Sequence, residues 1–198
     1  MSKHYKTILE LMKGTGGIVT ASQVTEAGIP RRCLTEMGGD GTIYKVERGV
    51  YALPDAWEDE FFLMQYRFAR GVFSHETALY LHSLTDRTPD RLTMTFPNGY
   101  NNSGVRTMHV VVRYSSADNY WLGLSEGASP AGHVIKVYDV ERTLCDMLKP
   151  RYASDVHIVN HAMKQYLRSP DKDVAKLLEY AECCNVKSKI LTYLEVLL

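Results

Sequence analysis

The stretch Ile18–Leu53, IVTASQVTEAGIPRRCLTEMGGDGTIYKVERGVYAL, contains the signals of two short helices and a hairpin in that order. Thr20 is a residue type that favours a helix N-cap, and Gln23 follows it at the spacing of a capping box. The sequence therefore predicts that a short helix begins directly after Thr20 and covers Ala21–Ala27.

A second helix is predicted immediately after the first. Gly28 suits the left-handed residue that ends a helix, and Pro30 is tolerated in the first turn of the next one. We expect this second helix to run from Pro30 to about Met37, after a tight turn. Its outward positions are Arg31, Arg32 and Thr35, whereas Leu34 and Met37 face a core. This composition is typical of a recognition helix.

The residues after the second helix predict a β-hairpin. The segment Gly38–Gly41 is expected to break the helix, and Ile43–Val46 and Val50–Leu53 are two strand-like runs. The connection Glu47–Gly49 contains a glycine and places Arg48 at its tip. The element order is that of a winged helix-turn-helix.

In a helix-turn-helix the second helix enters the major groove of DNA, while neighbouring basic and polar groups hold phosphates. On this basis eight residues are predicted to bind double-stranded DNA. They are Ser22, Gln23, Arg31, Arg32, Thr35, Tyr44, Lys45 and Arg48. The alternative is that the basic residues among them only solvate the surface of a small domain.

Overall composition restricts any DNA binding to a local patch. The chain has 198 residues, 45% of them hydrophobic, and 23 basic residues balance 23 acidic ones. A neutral chain is not expected to coat nucleic acid or membrane. Residues 1–54 carry seven basic and five acidic residues, a weak excess of positive charge in the predicted direction.

Cysteine spacing and hydropathy predict a reduced, cytoplasmic protein. The cysteines Cys33, Cys145, Cys183 and Cys184 have no CxxC spacing, so we expect free thiols and no zinc site. Apolar residues recur at helical spacing over Ser2–Lys13, which predicts a first helix and not a signal sequence. No apolar run approaches the ~20 residues that cross a bilayer.

A larger domain is predicted after the winged helix. Residues 1–54 form the first predicted domain and residues 60–198 the second, because the acidic, turn-prone segment between them interrupts the pattern. Trp57 in that segment is expected to pack the two halves together. Helices are predicted at Phe61–Phe68 and, after Ser74 as N-cap, over residues 75–84.

From Leu92 the period of the sequence alternates, which predicts a small sheet. The expected strands are Leu92–Phe96, Met108–Tyr114 and His133–Tyr138, and the stretches 98–104 and 114–132 match no motif. Helical spacing then returns in four segments, namely Val140–Lys149 with Asp139 as N-cap, Ala153–Leu167, Asp171–Cys183 and Lys187–Leu198. The predicted fold class is α+β, with a small sheet followed by a helical C-terminal region.

Several residues of the second domain could be suspected of catalysis, but a structural role explains them better. His75, Glu76 and His82 lack the HExxH spacing of a metal site, and Cys145 lies on an apolar helix side. Arg142 and Asp146 stand four residues apart on a helix and are expected to pair. We therefore predict neither catalysis nor a metal or other cofactor.

Two stretches of the second domain resemble a known family. SHETALYLHSLTDRTP at Ser74–Pro89 and VYDVERTLCDMLK at Val137–Lys149 look like characteristic segments of AbiEi-type antitoxins. Together with the winged helix, the resemblance spans most of the chain. These antitoxins belong to type IV toxin–antitoxin systems of phage abortive infection, and their N-terminal domain represses their own operon.

The resemblance implies a function and two partners. The DNA partner would be inverted repeats in the protein's own promoter, and the functional partner a nucleotidyltransferase-like toxin that forms no stable complex with it. The resemblance implies a protein that is not an enzyme. A ligand-sensing winged-helix regulator and a nuclease fused to a DNA reader remain the alternatives. An apolar pocket would favour the first, and an acidic cluster with a lysine the second.

Overall fold

A computed structural model describes residues 3–101, 104, 108, 110–152 and 154–197. Ser2, His109, Ala153 and Leu198, at which predicted elements begin, continue or end, lie outside these described residues. The chain divides into two compact units, Met1–Leu63 with Ala128–His133, and Met64–Gly127 with Val134–Leu198. The functional domains 1–54 and 60–198 remain predictions, and their bounds differ from those of these two units.

The first unit is a winged helix. Its elements are α1 (Lys3–Gly14), β1 (Ile18–Thr20), α2 (Ala21–Glu26), α3 (Arg32–Gly39), β2 (Tyr44–Glu47) and β3 (Val50–Ala52), followed by the start of α4 (Glu60–Arg67). The strands form an antiparallel sheet in the order β1-β3-β2. Strand β1 was not predicted, because three residues that run directly into a helix N-cap give no alternating pattern.

The predicted capping of α2 is confirmed. The Thr20 side chain accepts a hydrogen bond from the Gln23 backbone, and the Gln23 side chain accepts one from the Thr20 backbone at 2.8 Å. Gly28 adopts a φ of +72°, so only glycine fits there without strain. The Ile29 amide then bonds the carbonyl of Val24 at 3.0 Å, which closes the helix end.

Helix α3 begins and ends about two residues later than predicted. The Cys33 amide bonds the Pro30 carbonyl at 3.0 Å, so Pro30 closes a tight turn before the helix proper. At the other end Gly38 and Gly39 are helical, and the chain leaves the helix at Gly41 with a φ of +79°. Glycine disfavours a helix by only ~1 kcal/mol per residue, which packing of the preceding turns offsets.

Two apolar clusters hold the first unit together. The larger one joins α1, α2 and α3 through Ile8, Met12, Val24, Leu34, Met37 and their neighbours. The smaller one packs β1 and β3 against Ala56, Phe62 and Leu63. Trp57 belongs to neither cluster and is 83% exposed, so the prediction that it packs the two halves together was wrong. Large aromatic residues favour burial, but Trp57 lies in the irregular segment between β3 and α4 and not on a core-facing side of an element.

The second unit contains a five-stranded mixed sheet covered by helices. Its strands are β4 (Val72–Phe73), β5 (Leu92–Pro97), β6 (Val110–Ser115), β7 (Leu124–Ala128) and β8 (Val134–Tyr138). They lie in the order β6-β5-β4-β8-β7, with β5 parallel to β6 and β4 parallel to β8. Strands β5, β6 and β8 match the predicted strands, whereas β4 and β7 are additional.

The helices of the second unit follow the predicted order with shifted ends, except that the helix Ala117–Trp121 is additional and falls in the stretch 114–132, which matched no motif. After α4 they are α5 (His75–Leu81), α6 (Ala117–Trp121), α7 (Val140–Met147), α8 (Val156–Arg168), α9 (Val174–Cys183) and α10 (Lys187–Leu197), with a 3₁₀ turn at Pro150–Tyr152. Asp139, Asp155 and Asp173 accept backbone hydrogen bonds as N-caps of α7, α8 and α9. The α+β fold class is thus confirmed. Within the described ranges, no helix combines the length and apolarity that crossing a membrane requires.

Candidate nucleic-acid interface

The outer face of α3 carries the predicted recognition residues. Arg31, Arg32 and Thr35 are exposed, and Leu34 and Met37 lie in the core of the first unit. The predicted orientation of this helix is therefore confirmed. Arg31 and Arg32 both lie at the N-terminal end of α3.

Arg31 is held in position by a neighbour on α2. Its Nε donates a hydrogen bond to Oγ1 of Thr25 at 2.8 Å. The contact leaves the terminal nitrogens of the guanidinium for a ligand, and it restricts the side chain before any ligand arrives. Thr25 was not among the predicted site residues, because its role depends on the angle between two helices and not on a motif.

The hairpin of β2 and β3 presents the second set of predicted residues. Tyr44 is 37% exposed, and Lys45 and Arg48 are exposed as well. β2 is an edge strand, and its register against β3 shifts between Lys45 and Glu47. Tyr44 and Lys45 pair in regular register with Ala52 and Tyr51, so the irregularity begins only after them, on the way to Arg48.

Besides Arg31, two more of the eight predicted residues have local side-chain partners. The Ser22 hydroxyl donates to Oε1 of Glu26 at 3.0 Å, and the Gln23 carbonyl oxygen is part of the capping box. Each would have to exchange or share this partner to contact DNA.

The basic residues of the interface keep their charge uncompensated. Across the part of the chain that the structure describes, Arg31, Arg32, Lys45 and Arg48 form no ion pair. Nearby acidic groups bind hydroxyls instead. Glu36 accepts from the Tyr5 hydroxyl at 3.2 Å, and hydrogen bonds from the Thr42 side chain and backbone lower the pKa of Asp40.

The possible catalytic groups of the second unit do not form a metal site. His75 is buried at the start of α5, Glu76 is exposed, and Nε2 of His82 bonds the Tyr138 carbonyl at 2.7 Å. Among the described residues, no group of three or more potential ligands is placed to hold a metal ion. Cys145 is buried in the core cluster of the second unit, as predicted from its helix face.

Comparison with known proteins gives a family match in sequence and similarity to solved structures. Residues 6–54 match the family model described as transcriptional regulator, AbiEi antitoxin. This match confirms the resemblance to AbiEi antitoxins over the winged helix. No curated protein sequence matches the chain.

The structural match shows a shared fold. The crystal structure of RV2827C protein from Mycobacterium tuberculosis is similar at a TM-score of 0.56 and 15% sequence identity. The similarity covers 92% of this chain and 72% of the mycobacterial one. The shared architecture therefore extends beyond the winged helix.

Proposed function

We propose that this protein is the antitoxin of a type IV toxin–antitoxin system and represses its own operon through the winged helix. The observation that carries the proposal is the match of residues 6–54 to the AbiEi regulator family, on the same residues that form the exposed basic face. Its antitoxin activity is assigned to the second unit. In this proposal the protein acts without an enzymatic step, in the cytoplasm.

DNA recognition in this proposal follows from the geometry of α3 and the hairpin. Arg31 and Arg32 enter the major groove, Thr35 lies one helical turn further along, and Lys45 and Arg48 hold phosphates. Tyr44 packs beside the backbone, and Ser22 and Gln23 contact phosphates from the start of α2. One small module with few basic contacts binds weakly at physiological salt. We therefore propose two copies on inverted repeats of the promoter.

Replacing Arg31 and Arg32 together with alanine is expected to weaken operator binding by ~1–3 kcal/mol per lost base contact. A gel shift with the DNA upstream of the protein's own gene measures this loss. The affinity of the variant should also fall less steeply with salt, because two fewer cations displace counterions from the DNA.

The charge-matched control is the double variant Lys164→Ala, Arg168→Ala. Both residues are exposed on α8 of the second unit, so the control removes the same charge away from the interface. If both double variants lost affinity equally, general charge and not α3 would explain binding. The same gels, run on DNA with one or two half-sites, show whether the second copy binds more tightly than the first.

Toxin neutralisation should survive the loss of DNA binding. We expect the Arg31→Ala, Arg32→Ala variant, expressed from an unrelated promoter, to protect cells from the co-expressed nucleotidyltransferase-like toxin as well as the unmodified chain does. Colony counts under toxin induction measure the protection. Loss of protection at equal protein level would show that the winged helix itself carries the antitoxin activity, contrary to the assignment.

A further inference from the structure

Three buried polar atoms of the second unit have no hydrogen-bond partner within the described residues. They are Nε2 of His75, Nε of Arg113 and Oδ2 of Asp146. Buried polar atoms without a partner cost ~1–3 kcal/mol each, so a native protein normally pairs them with water or a ligand. When such atoms lie close together, one bound ligand explains them better than three separate packing defects.

Two of the three side chains meet at the ring of Tyr152, and the third acts on the first of them through its charge. The ring of His75 meets the ring of Tyr152 edge to face at 5.0 Å, and the guanidinium of Arg113 stacks over that same tyrosine ring at 4.4 Å. The charges of Asp146 and Arg113 both act on His75. His75 and Asp146 are 5% and 2% exposed, so these two groups are more than nine-tenths buried.

His75 presents a donor to this region. Burial is the main cause that lowers the pKa of His75 to about 4, and the nearby cations Arg113, Lys149 and Arg142 lower it further, against the opposite effect of Asp146. The ring is therefore neutral at pH 7. The Thr95 hydroxyl donates to Oγ of Ser74 at 2.8 Å, which leaves the Ser74 proton for Nδ1 of His75 at 3.1 Å. The ring proton of His75 then lies on the unpartnered Nε2.

The region has an excess of positive charge. Asp146 already accepts hydrogen bonds from Arg142 at 3.0 Å and Lys149 at 2.7 Å, both on its Oδ1. Over the described ranges, Arg113 and Arg151 form no ion pair, and the Arg151 guanidinium lies 5.9 Å from the Tyr152 ring. The charges of Arg113, Lys149 and Arg142 act on His75 against the one carboxylate of Asp146, so three cations stand against one carboxylate, which favours an anion.

We propose that His75, Arg113 and Asp146 form a binding site for a phosphate group that carries a proton, either free hydrogen phosphate or the phosphate of a nucleoside monophosphate. Nε2 of His75 and Nε of Arg113 donate to phosphate oxygens. Oδ2 of Asp146 accepts the proton of the P–OH group. A water molecule offers a similar hydrogen-bond pattern but no charge, so it would leave Arg113 without a counterion.

The acceptor at Asp146 makes the site selective. Sulfate has the size and charge of phosphate but carries no proton near neutral pH, so it would place an oxygen against the Asp146 carboxylate without a hydrogen bond. A free carboxylate oxygen therefore rejects sulfate and accepts hydrogen phosphate. Selectivity for phosphate over sulfate separates this site from general attraction of anions by a basic surface.

Calorimetric titration of the full chain with phosphate, sulfate and adenosine 5′-monophosphate, at matched ionic strength and pH 6.5, tests the proposal. We expect phosphate to bind at least about tenfold more tightly than sulfate, the equivalent of one good hydrogen bond. Tighter binding of the nucleotide than of free phosphate would identify a nucleotide as the ligand, and the reverse order would identify phosphate. No phosphate binding at millimolar concentration, or equal binding of sulfate, would overturn the proposal.

Two variants locate the site. Arg113→Gln should weaken phosphate binding about tenfold or more, since it removes the charge and the Nε donor. Asp146→Asn replaces the free acceptor with a donor and should abolish the preference for phosphate over sulfate. Because Asp146 is buried in an ion pair, this variant is first checked for folding by circular dichroism; Arg113 is half-buried and tests the site independently. Arg168→Gln, an exposed arginine on α8, is the matched control, and equal losses in both arginine variants would contradict the assignment.

Discussion

Replacement of Arg142 by methionine is expected to lower the free energy of unfolding by about 3–5 kcal/mol, because it leaves the carboxylate of Asp146 buried beside a weaker set of partners. Arg142 is 1% exposed, and its Nε lies 3.0 Å from Oδ1 of Asp146. Its Nη1 donates to the carbonyls of Asn119 and Leu122, and its guanidinium stacks 4.5 Å from the Tyr138 ring. The substitution removes all of these contacts at once.

The electrostatics of Asp146 support this size of effect. Burial alone raises the pKa of Asp146, but the charges of Arg142 and Lys149 more than offset it, so the pKa lies below its usual value. The carboxylate is therefore charged in the folded protein. Without Arg142, the hydrogen bond from the half-buried Lys149 is the one ion pair that Asp146 keeps among the described residues.

Urea unfolding followed by circular dichroism measures the loss, with Arg168→Met as the exposed control. The double variant Arg142→Met, Asp146→Leu is expected to be more stable than Arg142→Met alone, because apolar residues of similar volume remove the buried charge as well. A loss below about 1 kcal/mol for Arg142→Met would show that water reaches Asp146 and that the pair behaves as a surface salt bridge.

Local signals in the sequence predicted the winged helix well. The capping box of Thr20 and Gln23 and the left-handed Gly28 depend only on a few consecutive residues, so their spacing in the sequence is enough. The outward positions of Arg31 and Arg32 follow from helical periodicity. The same reasoning placed the boundaries of α3 two residues early, since the turn at Pro30 depends on the packing of the following helix.

Features that depend on tertiary packing were not predictable. The i, i+4 spacing indicated that Arg142 pairs with Asp146, but only the fold shows that both are buried. Ser74 is the N-cap of α5 as predicted, yet its hydroxyl contacts Thr95 and His75 and makes no capping bond. Strand β7, Leu124–Ala128, contains Ser, Glu and Gly and therefore lacks the residue types that favour a strand.

The stability of the second unit is expected to fall as the pH drops from about 6.5 to about 4, and His75 is the group responsible. Burial lowers the pKa of His75 from 6.5 to about 4 in the folded protein. In this window the unfolded chain binds a proton at His75 and the folded chain does not, so unfolding takes up a proton and becomes more favourable at lower pH. Above pH 6.5 the free energy of unfolding does not depend on the protonation of His75. Between pH 6.5 and pH 4 this group lowers the free energy of unfolding by roughly 3 kcal/mol.

The variant His75→Asn tests this pH dependence directly. Asparagine tolerates the φ of +54° that His75 adopts, and it has no proton to bind in this range. We expect the free energy of unfolding of the variant, from urea titrations between pH 7 and pH 4, to vary less with pH than that of the unmodified chain. The exposed His161 on α8 supplies the control His161→Asn, whose profile should match the unmodified chain.

Asp146 contributes to the pH dependence of stability only at still lower pH, because its pKa already lies below the usual carboxyl value. If the His75→Asn profile kept the full slope above pH 4, another group would have to bind the proton, and the burial of a neutral His75 would not explain acid unfolding.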